Sequence, residues 1–461
     1  MTKVALMPSR TNFTATVNAC KLCRPMGAAI AFRGIEGCVP FLHGSQGCAT
    51  YMRRYIISHF NEPIDIASSS LGEKNAIFGG APNLKLGLKN VAEKYHPTLI
   101  GIATTCLTET IGDDVAAILK EFRNDTANPE DLPILINVSS PSYSGSHMEG
   151  FHDAMLAAVS QLASEQPPVT GTLNLLPGFI SSADLRYLKD LITDFGLQAT
   201  VLPDISDTLD GPSLRRYPLI PKGGTPLAAI AAMGGAALTI EFGPTLAGRK
   251  TAGTFLEERF GVKRHLLGMP VGIRATDRFF LQLGEASGRK TPAKYRNERG
   301  RLVDAYVDGH KYLYGKRAVV YGEEDLVVGL TSFLAECGIK PVLCASGGNS
   351  GRLQDAITEV VRDVLPEGEL PVVRDNVDFH DIENEAAALS PDLLIGHSKG
   401  YPLARRLDIP LIRVGFPIHD RIGGQRILHL GYGGALGLFD TIVNTLIGEK
   451  QKKSSVGYSY M

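Results

Sequence analysis

Along its whole length the chain alternates short apolar runs with longer amphipathic stretches, and this alternation constrains the fold more than any other feature. Strands separated by helix-length connections pair in parallel, which makes the expected fold class α/β with mostly parallel sheets flanked by helices. Apolar runs at 99–103, 134–138, 172–176, 199–202, 317–321, 341–345, 393–396 and 410–414 predict strands. Residues 113–122, 147–162, 325–337 and 435–447 predict helices. Another helix is expected over 183–195, capped by Ser181 or Ser182 and stopped by Gly196. Residues 225–242 read as a further helix-and-strand unit, and 255–314 as a mostly helical packing or crossover region.

The 461 residues are enough for about three domains. A polar, proline-rich stretch at 163–168 marks the first boundary, and Gly315–Lys316 opens a third unit. The expected division is 1–168, 169–314 and 315–461. Net charge is −1, so no basic field argues for nucleic acid. No apolar run reaches the roughly 18 residues of a membrane span, and residues 1–8 carry no secretory pattern. The expectation is a cytoplasmic protein.

Seven cysteines in a reducing compartment point to metal binding, catalysis or core packing rather than to disulfides. Cys337 and Cys344 flank apolar stretches and read as core thiols, as does Cys38. Cys48 closes the hexapeptide His43-Gly44-Ser45-Gln46-Gly47-Cys48, which follows the apolar run 39–42 and precedes a helix-like stretch at 51–60. A tight glycine-permitted turn at a strand end, with Gly47 beside the thiol, aims Cys48 at something bound there. Cys23, before Arg24-Pro25, and Cys106, after Thr104-Thr105, sit in similar settings. Their spacing is not that of a compact ferredoxin, so it leaves both an iron–sulfur site and plain core thiols open. Cys20 and Cys23 form a C-x-x-C without the preceding strand of a thioredoxin-type dithiol.

Other residues carry two readings each. His43 is either a group that tunes a bound cluster through the loop or a hydrogen-bonded structural histidine. Ser142 either approaches the three thiols or is a turn serine. Residues 51–55 (YMRRY) are a phosphate contact or a helix face touching another subunit. The glycine-rich stretch 431–437 has one residue too many for G-x-G-x-x-G and no downstream acid, so it reads as a strand-to-helix turn. Residues 346–351 lack the lysine of a phosphate loop and read as a turn.

Several of these segments together resemble the β-type subunits of the nitrogenase superfamily. They are 18–28 (NACKLCRPMGA), 42–51 (LHGSQGCATY), 59–63 (HFNEP), 78–80 (FGG), 103–114 (ATTCLTETIGDD), 141–150 (PSYSGSHMEG), 202–212 (LPDISDTLDGP) and 413–421 (RVGFPIHDR). Within the superfamily the 202–212 segment and the compact length resemble the scaffold subunits on which the iron–molybdenum cofactor is matured. The β subunit of catalytic molybdenum–iron nitrogenase and a related tetrapyrrole reductase subunit are the alternatives.

The resemblance implies three Rossmann-like α/β domains and an α2β2 heterotetramer with a homologous α-type subunit, NifE. It implies an iron–sulfur cluster of 4Fe-4S type at the interface with that subunit, with Cys48 as the matching ligand. Cys23 and Cys106 match further ligands of the catalytic subunits, and the position of Ser142 joins them in one oxidation state. Some scaffold subunits keep only the cysteine matching Cys48, so the presence of all three leaves the cluster type open. His43 and Gly47 belong to the motif around Cys48. The implied partners are the nitrogenase iron protein (NifH), the precursor donor NifB and the apo molybdenum–iron protein as acceptor, and the precursor itself is held mainly by the α-type subunit. No residue stands out as a general acid or base.

Overall fold

The computed structural model describes residues 18–456; the expectation drawn from residues 1–8 lies outside them. Every strand in it is parallel to its neighbours, and the strands form three separate sheets. The N-terminal sheet contains β1 (Cys38–His43), β2 (Ala67–Ser68), β3 (Leu99–Thr104) and β4 (Ile134–Val138), in the order β2-β1-β3-β4. The middle sheet contains β5 (Val169–Leu176), β6 (Gln198–Val201), β7 (Ala236–Phe242) and β8 (Arg264–Leu267), in the order β6-β5-β7-β8. The C-terminal sheet contains β9 (Arg317–Gly322), β10 (Lys340–Ser346), β11 (Val372–Arg374), β12 (Leu393–Gly396) and β13 (Leu411–Arg413), in the order β11-β10-β9-β12-β13. The α/β class with parallel sheets flanked by helices is therefore the observed one. Its physical cause is visible in β1, β3 and β12, whose residues are buried throughout, because helices cover both faces.

Three expectations need correction. The helix expected over 51–60 spans Gln46–Phe60, because Ser45 caps it by accepting from the Gly47 amide at 3.2 Å. The region expected to be mostly helical contains β8, a four-residue edge strand paired on one side only, with β7. Its half-exposed residues form no apolar run, so the sequence carries no strand signal there. The stretch 431–437 is no turn: it is the first part of the helix Gly431–Lys452. A Cβ on Gly431 would sit 2.4 Å from the Tyr187 ring, so this glycine lets the helix start against that ring.

One continuous core runs through all three sheets. The junction between them also carries buried histidines. His59 Nδ1 accepts from the Ile418 amide at 2.9 Å. His147 accepts the Leu22 amide at Nδ1 (3.3 Å) and meets Glu323 at Nε2 (3.0 Å). No helix of the described residues is long and apolar enough to cross a membrane.

Burial pushes His59 and His152 down to about 4 and His397 down to about 3. An unfolded histidine titrates near 6.5. Each imidazole therefore contributes stability that is complete above about pH 6.5 and is lost as pH falls toward its folded value. Burial acts with the opposite sign on Glu324 and Asp325, raised to about 7 and about 6; their contribution is complete at low pH and lost as pH rises. The three imidazoles outweigh the two carboxyls. Stability is expected to fall between pH 7 and pH 5 by on the order of 2 kcal/mol, read as a lower urea midpoint at unchanged slope. A flat or rising midpoint over that range would contradict the assignment.

Candidate metal centre

Ligand sites in parallel sheets gather beyond the carboxyl ends of the strands, and here those ends converge. His43 closes β1 directly opposite Thr104, the last residue of β3. The next residues of each strand begin the loops that carry Cys48 and Cys106. A Cβ on Gly44 would lie 2.1 Å from Thr105 Oγ1, so only glycine allows the two loops to approach this closely. The loop after β4 brings Ser142, whose amide donates to Cys106 Sγ at 3.2 Å.

Cys23 arrives from the other side. It is the N-cap of the helix Arg24–Arg33, which packs closely on the helix His147–Leu162. The contact is backbone on backbone. A Cβ on Gly27 would lie 1.6 Å from the His147 carbonyl oxygen, and one on Gly150 would lie 1.9 Å from the Arg24 carbonyl oxygen. Arg24 adds a bridge to Asp153 at 3.2 Å through Nε and also donates to Ser144 in the Ser142 turn.

All three thiols thus sit at helix N-termini: Cys23 as a cap, Cys48 in the first turn of Gln46–Phe60, and Cys106 as the first residue of Cys106–Ile111. Unpaired amides at helix starts favour negative charge and thiolate. These three are also the only cysteines that are partly exposed, while Cys20, Cys38, Cys337 and Cys344 are buried; all seven are free thiols. Burial pushes Cys20, Cys38 and Cys344 up to about 12, which makes them inert. The C-x-x-C is therefore split: Cys20 packs beside His397 at 3.8 Å, and Cys23 faces the other thiols.

Burial raises Cys48 above the usual thiol range, and the charges of Cys23 and Cys106 raise it further. A metal bound among the three sulfurs would reverse this pKa logic, because coordination displaces the thiol proton. Among the described residues no three His, Cys, Asp or Glu side chains come close enough to share a single metal ion. An all-sulfur donor set placed on three helix starts fits an iron–sulfur cluster.

His43 is buried and spends both ring nitrogens within the chain. Nδ1 meets Ser69 Oγ at 2.9 Å and Nε2 meets Asp113 Oδ2 at 3.1 Å. Its carbonyl accepts from the Thr105 amide (3.1 Å) and Thr108 Oγ1 (3.0 Å), which ties the Cys106 loop to the end of β1. Gly47 is exposed, with only Ser45 Oγ, at 3.5 Å, near the position of a Cβ. Two neighbours of Cys23 escaped the sequence reading as parts of this site. Tyr51 stacks on Tyr55 with ring centres 4.6 Å apart, and the Cys23 charge contributes to its raised pKa after burial and Tyr55. Lys399 reaches across from the C-terminal part of the chain and donates to the Ala19 carbonyl at 2.6 Å; burial lowers its pKa against the charges of Cys20 and Cys23. Lys399 lies 376 positions from Cys23, so no local pattern could have linked them.

A family model described as "Nitrogenase component 1 type Oxidoreductase" matches residues 23–447. The molybdenum–iron protein beta chain of Clostridium pasteurianum is 35% identical over 95% of this chain and 94% of its own length. That of Methanothermobacter thermautotrophicus is 34% identical over 94% of this chain and 95% of its own. The solved structure "Nitrogenase Cp1 at pH 6.5" superposes with a TM-score of 0.93 at 33% identity, covering 98% of both chains. A chain of "Nitrogenase Cp1 at pH 5" superposes at 0.72 with 16% identity, which speaks for the fold alone.

Gly150→Ala is expected to cost about 1–3 kcal/mol by overpacking the helix contact that sets Cys23. The variant should melt at a lower temperature than the wild type. Unchanged melting would contradict the role given to this contact.

Proposed function

Because this chain belongs to the nitrogenase component 1 family, as a β chain of the molybdenum–iron type, we propose that it forms an α2β2 complex with an α-type subunit and supplies Cys48, Cys23 and Cys106 to an iron–sulfur cluster at their interface. The observation that carries this reading is the convergence of three half-buried thiols at the carboxyl edge of the N-terminal sheet. When bound, such a cluster supplies one-electron transfer. The chain's own residues do the holding: helix starts stabilise the thiolates, and the Ser142 amide orients Cys106. The His43 hydrogen bonds keep the loops in register. Ligands drawn from two chains make cluster loading and subunit association depend on each other.

The finer reading is that of NifN, the β subunit of a scaffold completed by NifE, on which the iron–molybdenum cofactor precursor receives molybdenum and homocitrate. NifB would deliver the precursor, NifH would dock to support maturation, and the apo molybdenum–iron protein would accept the product. The 202–212 segment supports this reading; there Asp204 pairs with Lys189 at 2.8 Å and Asp210 pairs with Arg186. Compact length does not separate the roles, since the Clostridium pasteurianum catalytic chain is matched over 94% of its length. A second reading, the β subunit of catalytic nitrogenase, is favoured by the presence of all three thiols with Ser142 beside them.

Cys48→Ala, purified anaerobically with the α-type partner, is expected to lose most of its interface iron and to release αβ pairs from the tetramer. Unchanged iron per αβ pair would refute the ligand role. The same preparation separates the two readings. A scaffold carries cofactor precursor and restores cofactor-deficient molybdenum–iron protein without reducing acetylene itself. Acetylene reduction by the complex with the iron protein alone would establish the catalytic reading.

A further inference from the structure

A second site candidate lies away from the thiols, in a cleft of about 240 Å³ between the middle and C-terminal sheets. It is far roomier than a water-sized void and approaches the size of small-molecule sites. The cleft opens just beyond the carboxyl ends of β7 and β8, where Pro244, Leu267 and Gly268 line it. That is where parallel sheets place ligands. Leu266, Met269, Val328 and Val360 give it apolar walls.

The polar groups in this cleft are few and specific. Ser332, on the helix Glu324–Glu336, is 7% exposed, lines the cleft, and its hydroxyl has no partner among the described residues. Its hydroxyl opens to the cleft rather than being sealed in the core, so a ligand that fills the cleft and excludes solvent gains by pairing with it. Arg274, Arg278 and Arg352 line the cleft beside Asp355 and Glu359; Arg274 meets Asp363 at 3.7 Å, so Arg278 is the guanidinium left open to an anion. Arg274 donates to the Val360 carbonyl at 3.2 Å, and Arg352 meets Asp355 at 3.6 Å. Arg278 has no partner among the described residues. The start of the helix Gly272–Ser287 is already capped, since Glu336 accepts from the Ile273 and Arg274 amides at 2.6 and 3.2 Å. An anion entering the cleft therefore meets guanidinium groups rather than free helix amides.

We propose that this cleft binds a small oxygenated carboxylate. Its carboxylate sits on Arg278, its apolar body lies on the Leu266, Met269, Val328 and Val360 wall, and a second oxygen function pairs with Ser332 Oγ. A guanidinium fork matches a carboxylate, and a lone hydroxyl in an otherwise apolar wall favours a ligand that carries a second oxygen. The site is independent of the thiols and does not rest on the cluster reading.

The test is calorimetric titration of the complex with 6-hydroxyhexanoate, hexanoate and 6-amino-1-hexanol at millimolar concentration. The hydroxy acid is expected to bind once per chain, at least tenfold more tightly than the amino alcohol. Arg278→Glu should weaken it at least tenfold, and Ser332→Ala should make hydroxy acid and hexanoate equal. Absence of binding, equal binding of the cationic probe, or wild-type affinity in Arg278→Glu would each overturn the proposal. Arg278 is exposed, so its charge reversal leaves packing intact, and iron content measured on the same samples separates loss of this site from loss of a cluster.

Discussion

The pairing of β1 with β3 is the constraint on which the site depends. Because His43 stands opposite Thr104, the loops that follow both strands leave the sheet side by side. A shift of one residue would turn every buried side chain of β1 to the wrong face. It would also part the Cys48 loop from the Cys106 loop. The hydrogen bonds of the His43 carbonyl to Thr105 and Thr108 lock that register at the point where it matters most. The histidine in the motif is thus structural in its contacts, and its effect on the thiols runs through the backbone.

Cys23 has a different dependence. It lies before β1 in the chain and reaches the other thiols only because its helix packs backbone to backbone against His147–Leu162. That second helix is anchored in turn by His147, which reads the Leu22 amide with one nitrogen and Glu323 of the C-terminal third with the other. A buried imidazole–carboxylate contact therefore connects the placement of one thiol to the packing of a distant sheet. The junction is polar and buried, and such networks are stable only when each group finds its partner.

Much of this was legible in the sequence, for physical reasons. Buried parallel strands such as β3 and β12 are apolar runs, and the helix His147–Leu162 begins at a serine capping box, so their limits could be read directly. The edge strand β8 could not, since it is short and half-exposed. The helix start at Gln46 was hidden because its capping residue lies inside a glycine-rich motif that reads as a turn. Cysteine positions alone did not separate core thiols from candidate ligands, whereas burial divides the seven into four buried thiols and the partly exposed Cys23, Cys48 and Cys106. Lys399 beside Cys23, and the cleft around Ser332, arise from contacts between distant parts of the chain and leave no local trace.

Iron anomalous diffraction from anaerobic crystals of the complex with the α-type subunit tests the central claim most directly. The account predicts a group of iron peaks at the carboxyl edge of the N-terminal sheet, bonded to the sulfurs of Cys48, Cys23 and Cys106. Iron peaks elsewhere, with Cys48 bonded to none of them, would contradict it.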